Sequence, residues 1–218
     1  MDRVGARGGD DPDGDGVKDE INEGQLSALT LFVAMQEVPV VSFPAFVDGI
    51  LPYGDPGPER EKGRILFGSA GCASCHVPTL PLKSTIFSLE SRTGGEPIKV
   101  DLARDAAEPR IAPGADGGAD VPLYSDLKRH DMGPDLAERK PDRGVAPQLF
   151  LTRPLWGIAR SRPYLHDARA PTLEDAILAH GGEAQASRDA FDALNITERG
   201  SLLVFLTTLT RARRFSQR

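Results

Sequence analysis

Apolar residues recur at helical spacing in four stretches of this chain, and between the second and third stretch the periodicity vanishes. Leu26, Leu29 and Val33 lie three and four residues apart, the spacing that places side chains on one helical face. Pro39 ends that run, since it has no amide hydrogen to give a helix interior. A second helix is predicted over Glu59–Ser69, with Ile65, Leu66 and Phe67 on its inner side. Thr172 begins a short third helix in which Leu173, Ile177 and His180 share one stripe, closed at once by Gly181 and Gly182. The last helix carries Leu202, Leu203, Phe205 and Leu206 behind an N-cap at Asn195 or Thr197. From residue 77 to 160 Pro and Gly are frequent and periodic runs are few, so loop with short strands is expected. No internal repeat is visible.

The second predicted helix runs directly into Cys72-Ala-Ser-Cys75-His76. C-x-x-C-H is the spacing that attaches a c-type haem: each thiol adds to one vinyl group, and the histidine beside them becomes the proximal iron ligand. A zinc site would want a second pair of ligands at short spacing, and these are the only cysteines of the chain. A redox dithiol should follow a strand in a βαβ unit, a pattern absent here. One covalent haem c is therefore expected on Cys72, Cys75 and His76. A first and a last helix crossing beside such a turn make the core of a cytochrome c, so the fold class expected is mainly α, a cytochrome c-like domain with long Pro/Gly-rich loops.

Composition supports a packed domain around a cofactor. With 218 residues and 39% hydrophobic residues the chain can bury a core, and 23 glycines with 18 prolines imply many turns. The net charge of −6 argues against nucleic acid, and no Lys/Arg run interleaved with aromatics occurs. No segment approaches the roughly 20 apolar residues that span a bilayer. The expected partner is a redox protein, another cytochrome or a small electron carrier; the oligomeric state is left open.

Three segments are expected. Residues 1–10 read as a mobile N-terminal stretch. Residues 11–58 hold a calcium-loop-like run and a helix, and residues 59–218 form the mono-haem domain. In the run from Asp11 to Glu20, Asp11, Asp13, Asp15 and Asp19 place carboxylates at alternate positions, with the Val17 carbonyl between, as in loops that wrap Ca²⁺. The closing position holds Asn22 where glutamate is usual, and a solvated acidic loop is the plainer reading. Met1-Asp2-Arg3 has no apolar export core, yet haem c is attached outside the cytoplasm. A periplasmic or extracellular location, with an export signal upstream, is expected.

The second axial ligand decides what the iron does. A strong ligand makes an electron carrier, and an open position allows peroxide or oxygen chemistry. The candidates are His130, Met132, His166 and His180. Met132 sits in a His-Asp-Met-Gly-Pro loop well downstream of the haem motif, and His180 lies on the apolar stripe of its helix. On local grounds these two stand level.

Leu123–Pro134, Thr152–Gly157, Pro163–Asp167 and Thr172–Glu183, in that order, resemble the C-terminal half of the di-haem oxidoreductases, also called thiol oxidoreductases, relatives of the bacterial di-haem cytochrome c peroxidases. The resemblance covers roughly residues 11–210. It implies that His76 is proximal and that His180 is the distal ligand of an electron-transfer haem. His166 would belong to a turn near the haem. Bis-histidine ligation implies a lower potential than a thioether gives. The family carries two haems and this sequence holds one C-x-x-C-H. The segment 11–58 would then correspond to an inter-domain junction.

Three functions follow from these residues. The first is mono-haem electron transfer through His76 and His180, with Phe67, Leu155 and Trp156 helping to bury the haem. The second is a peroxidase- or oxygenase-type enzyme, for which Glu174, Glu183 and His130 are available as acid–base groups. The third is an assembly module that the haem merely stabilises.

Overall fold

The structure is a computed structural model that describes residues 21, 23–41, 57–90, 95–141 and 144–210. The calcium-like residues Asp11, Asp13, Asp15, Val17 and Asp19, and the segment 1–10, lie outside the described residues. Five α-helices occur among those described: α1 (Glu23–Ala34), α2 (Gly57–Ser69), α3 (Leu173–Leu178), α4 (Gln185–Asp192) and α5 (Ile196–Thr208). Eight short strands accompany them: β1 (Val40–Val41), β2 (Leu80–Leu82), β3 (Ile86–Leu89), β4 (Ile98–Asp101), β5 (Ala119–Val121), β6 (Arg129–Asp131), β7 (Leu149–Leu151) and β8 (Leu209–Thr210). They pair two by two, β1 with β8, β2 with β5, β3 with β4 and β6 with β7.

This overturns the expectation of a mainly α fold. Six of the eight strands fall between residues 77 and 160, where helix was not expected but where strand content was underestimated. The physical reason is that backbone amides and carbonyls must be paired wherever the chain is buried. A stretch broken by proline and glycine cannot propagate a helical ladder, so it pairs in short ribbons.

The chain divides into two compact units. One contains α1 and Leu82–Ala119, with β3 and β4 antiparallel from Ile86↔Asp101 to Leu89↔Ile98. Here α1 forms where the apolar period predicted it, but Leu26, Leu29, Phe32 and Val33 are all exposed. The Met35 carbonyl after its end accepts the Ala107 amide at 2.9 Å.

The other unit, Val38–Pro81 and Asp120 onward, holds the C-x-x-C-H turn. Its core is Phe67 of α2, Tyr124, Leu155, Phe191 of α4, and Leu202, Phe205 and Leu206 of α5. Phe67, Tyr124 and Phe205 form a closed aromatic triangle with centroids 5.4 to 6.0 Å apart, within the range where edge-to-face packing is favourable. Of the predicted inner residues on α2, Phe67 is buried and Leu66 half-buried, whereas Ile65 is 56% exposed. Three consecutive helical residues fan over some 200°, so they cannot all face inward.

Helices α2 and α5 cross in direct contact at Gly63. A Cβ there would stand 2.0 Å from the Ser201 carbonyl oxygen and 2.7 Å from the Phe205 Cβ. The backbones touch, so only hydrogen fits. Asn195 caps α5 through a box with Glu198, each accepting the other's backbone N–H. The buried hydroxyls of Thr207 and Thr208 donate to carbonyls of their own helix at 2.7 and 2.6 Å, which lets an otherwise apolar helix stay buried. Replacing Gly63 by alanine should therefore cost on the order of 1–3 kcal/mol through overpacking. Urea unfolding of Gly63→Ala beside the neighbouring exposed Gly68→Ala measures it; equal midpoints would show that the helices can separate freely.

Candidate haem-binding site

Gly71, at φ 81°, ends the run from α2 and starts a single 3₁₀ turn, Cys72–Ser74. Positive φ costs glycine little, and the turn lets the His76 amide donate to the Cys72 carbonyl at 3.0 Å. Cys72, Cys75 and His76 are thereby gathered on one turn. Both thiols are free of any disulfide. Burial against the core pushes the Cys72 thiol up to about 11.

A short ladder hangs the segment Tyr124–Asp126 on this turn. The amides of Tyr124, Ser125 and Asp126 donate to the carbonyls of Pro78, Val77 and Cys75 at 3.3, 3.0 and 2.9 Å. Tyr124 sits at φ 52°, unusual for a bulky residue, and in that conformation its carbonyl lies 3.1 Å from His76 Nδ1. A carbonyl only accepts, so Nδ1 carries the proton and the lone pair of the neutral ring is on Nε2.

His180 is held in the same way. The capping box of Thr172 and Asp175 starts α3, whose Leu173, Ile177 and Leu178 pack on the core. Arg199 of α5 pairs with Glu174 of this helix at 3.2 Å and with Asp192 of α4 at 2.8 Å. The chain leaves α3 with the His180 amide bonded to Ile177 O, and His180 Nδ1 donates to the Ala176 carbonyl at 2.7 Å. Nε2 is again the nitrogen that keeps its lone pair.

Burial holds His76 below the ordinary histidine range, helped by the neighbouring charge of His180 and partly offset by the Tyr124 carbonyl. Burial lowers His180 likewise, with the Ala176 carbonyl opposing. The structure thus brings together two neutral imidazoles, each oriented by a carbonyl, beside two thiols and the wall of Phe67, whose ring centroid is 6.5 Å from that of His76. Those residues fit a haem: the iron needs two axial nitrogens, the vinyl groups two thiols, and the macrocycle an apolar wall.

The other sequence candidates have surroundings of their own. His166 is exposed and stacks on Phe150 at 4.6 Å. Met132 is half-buried beyond β6, its carbonyl against Gly181, and lines a cleft with Leu136, Leu178 and Arg188. Trp156 is half-buried, and its indole N–H donates to the Pro122 carbonyl at 2.7 Å. Glu174 is engaged by Arg199. His130 stands between two carboxylates, its Nε2 2.8 Å from Asp126 and its Nδ1 2.8 Å from Glu183. Sequence reading gave Tyr124 and Asp126 no role, because a carbonyl aimed by a positive φ at a ring 48 positions away leaves no local pattern, and Asp126 gains its part only through His130, whose other partner is 53 positions on.

The fold and this residue set are those of a haem-binding redox domain. The chain belongs to the family described as "Di-haem oxidoreductase, putative peroxidase", which matches residues 56–209. Among solved structures it is similar to the crystal structure of a MauG-like protein associated with microbial copper homeostasis. That match has 22% identity and a TM-score of 0.37, covering 71% of this chain and 47% of that one. The chain therefore spans about half the length of that relative. No curated protein matches. No helix among the described residues is long and apolar enough to cross a membrane.

The cluster around His130 has a definite pH signature. The hydrogen bonds to Glu183 and then Asp126 raise His130 above its ordinary 6.5. For Asp126, burial acts upward, but the Lys128 amide, the His130 ring and Thr152 outweigh it and bring it to about 2, from 3.8. A raised histidine contributes stability that is complete below pH 6.5 and is lost as pH rises through the folded value; a lowered carboxylate contributes above 3.8 and loses it as pH falls toward 2. The stability gap between the wild type and His130→Gln should therefore be widest between about pH 4 and 6.5 and narrow on the alkaline side. Urea unfolding across pH measures it, and a gap that widens above pH 8 would contradict the assignment.

Proposed function

We propose that this chain is a mono-haem c-type electron-transfer unit, with haem attached through Cys72 and Cys75 and iron held by His76 and His180. The observation that carries this reading is the matched orientation of the two histidines: each donates Nδ1–H to a backbone carbonyl and keeps Nε2 for a metal. When bound, haem supplies a one-electron centre whose potential depends on its axial ligands and burial. The chain's own work is to keep both rings neutral and fixed, and to exclude water with Phe67, Leu155 and Ile177. Two fixed strong ligands leave little room for a substrate at the iron, which favours electron transfer over peroxide chemistry. A redox protein is the natural partner, in a compartment outside the cytoplasm where haem c is attached.

In a host that attaches haem c, the ferric protein should be low-spin and lack the near-infrared band of methionine-ligated iron. His180→Ala should turn it high-spin, and Met132→Ala should leave it unchanged. If instead Met132→Ala removes the low-spin signal, the distal ligand is Met132. A high-spin wild type would move a peroxidase role, the activity in the family's description, to the front.

A further inference from the structure

We infer that His130 is a positioning residue: clasped between Asp126 and Glu183, it ties the turn that carries His180 to the loop that orients His76. This deepens the proposed His76/His180 ligation and rests on it.

Each ring nitrogen of His130 faces a carboxylate oxygen at 2.8 Å. Carboxylates at neutral pH only accept, so both nitrogens donate and the ring is an imidazolium. Charge-assisted bonds of this kind are stronger than neutral ones. Exposed ion pairs contribute little; the His130 and Asp126 side chains are only 17% and 9% exposed, so water competes weakly there, while Glu183 is 55% exposed and its arm is held by a second bond, from the Asp131 amide.

What the clasp joins gives it meaning. On one side, the Asp126 amide donates to the Cys75 carbonyl, and two residues earlier Tyr124 accepts from His76. On the other, Glu183 is three residues past His180, and its second oxygen accepts the Asp131 amide at 3.0 Å. Between them the backbones are pressed together. A Cβ on Gly182, which lies at φ 53°, would meet the Asp131 carbonyl oxygen at 2.2 Å, and one on Gly181 the Met132 carbonyl oxygen at 2.9 Å. A continuous path thus runs from His76 through Tyr124, Asp126, His130 and Glu183 to His180. α3 alone holds His180 by one amide bond and one ring bond to its own last turn. The clasp is what anchors the far side of that histidine, where the chain turns away.

The test uses the haem-loaded protein and cyanide, which can bind ferric iron only when a protein ligand gives way. Loss of the clasp in His130→Ala should raise the cyanide association rate roughly tenfold, the equivalent of about one charge-assisted hydrogen bond. Glu183→Gln should raise it less. His130→Arg, which keeps the charge and two donors, should bring it back toward wild type. A melting temperature that falls while the cyanide rate stays at the wild-type value would overturn the positioning role and leave a structural one. Should His130→Ala fail to mature, Glu183→Gln decides: an unchanged rate overturns the inference. His180→Ala separates the two readings. If it leaves rate and spectrum unchanged, the ligation itself fails; if it binds cyanide fast while His130→Ala does not, only the clasp fails.

Discussion

The bond from His76 Nδ1 to the Tyr124 carbonyl is the constraint on which the rest of this site depends. Imidazole has two nitrogens and, when neutral, one proton. A carbonyl that can only accept therefore decides which nitrogen is left to bind a metal. Placing that carbonyl requires Tyr124 in the left-handed region, and the strain is absorbed by what surrounds it: the ladder to residues 75–78 and the aromatic packing on Phe67 and Phe205. The residue whose ring seals the core thus also presents the backbone oxygen that orients His76. Core packing and site chemistry are not separable here.

That coupling extends to the helices. α2 delivers the C-x-x-C-H turn and α5 supplies Phe205, so the distance between them sets the depth of the wall behind His76. Gly63 makes that distance as small as two backbones permit. Arg199, one turn from the start of α5, reaches both Glu174 and Asp192, so the helix that bears His180 is referred to the same axis as the one that bears His76. Both histidines are thus tied back to α5, most of whose second half is buried.

What was legible in the sequence follows the range of each interaction. The helices were readable because their signals are local: the apolar stripe of Leu173 and Ile177, the caps at Thr172 and Asn195, and the stop at Gly181 and Gly182. C-x-x-C-H was readable because covalent chemistry imposes a spacing of its own. The ribbons between residues 77 and 160 were not, since strands of three or four residues leave no period to detect, and the mainly α expectation failed there. The direction faced by Ile65 was lost for a related reason: a run of three apolar residues does not say which of them points out. His180 and Met132 could not be ranked locally, because the surroundings of each, the Ala176 carbonyl beside the His180 ring and the cleft that Met132 lines, come from the fold.

Four histidines in this chain occupy three electrostatic environments, and the contrast is an argument about function. His166 is exposed against Phe150; His130 is a cation between carboxylates; His76 and His180 are pressed toward neutrality by burial. Only a neutral imidazole has a lone pair to offer a metal. Burial at His76 and His180 outweighs the upward pull of their carbonyl partners and, at His76, of the nearby Asp126 charge, so both rings stay neutral. The fold assigns carboxylates to His130 and carbonyls to the other two. The direct carboxylate bonds are made to His130, where they hold backbone segments together, while the rings of His76 and His180 bond to carbonyls.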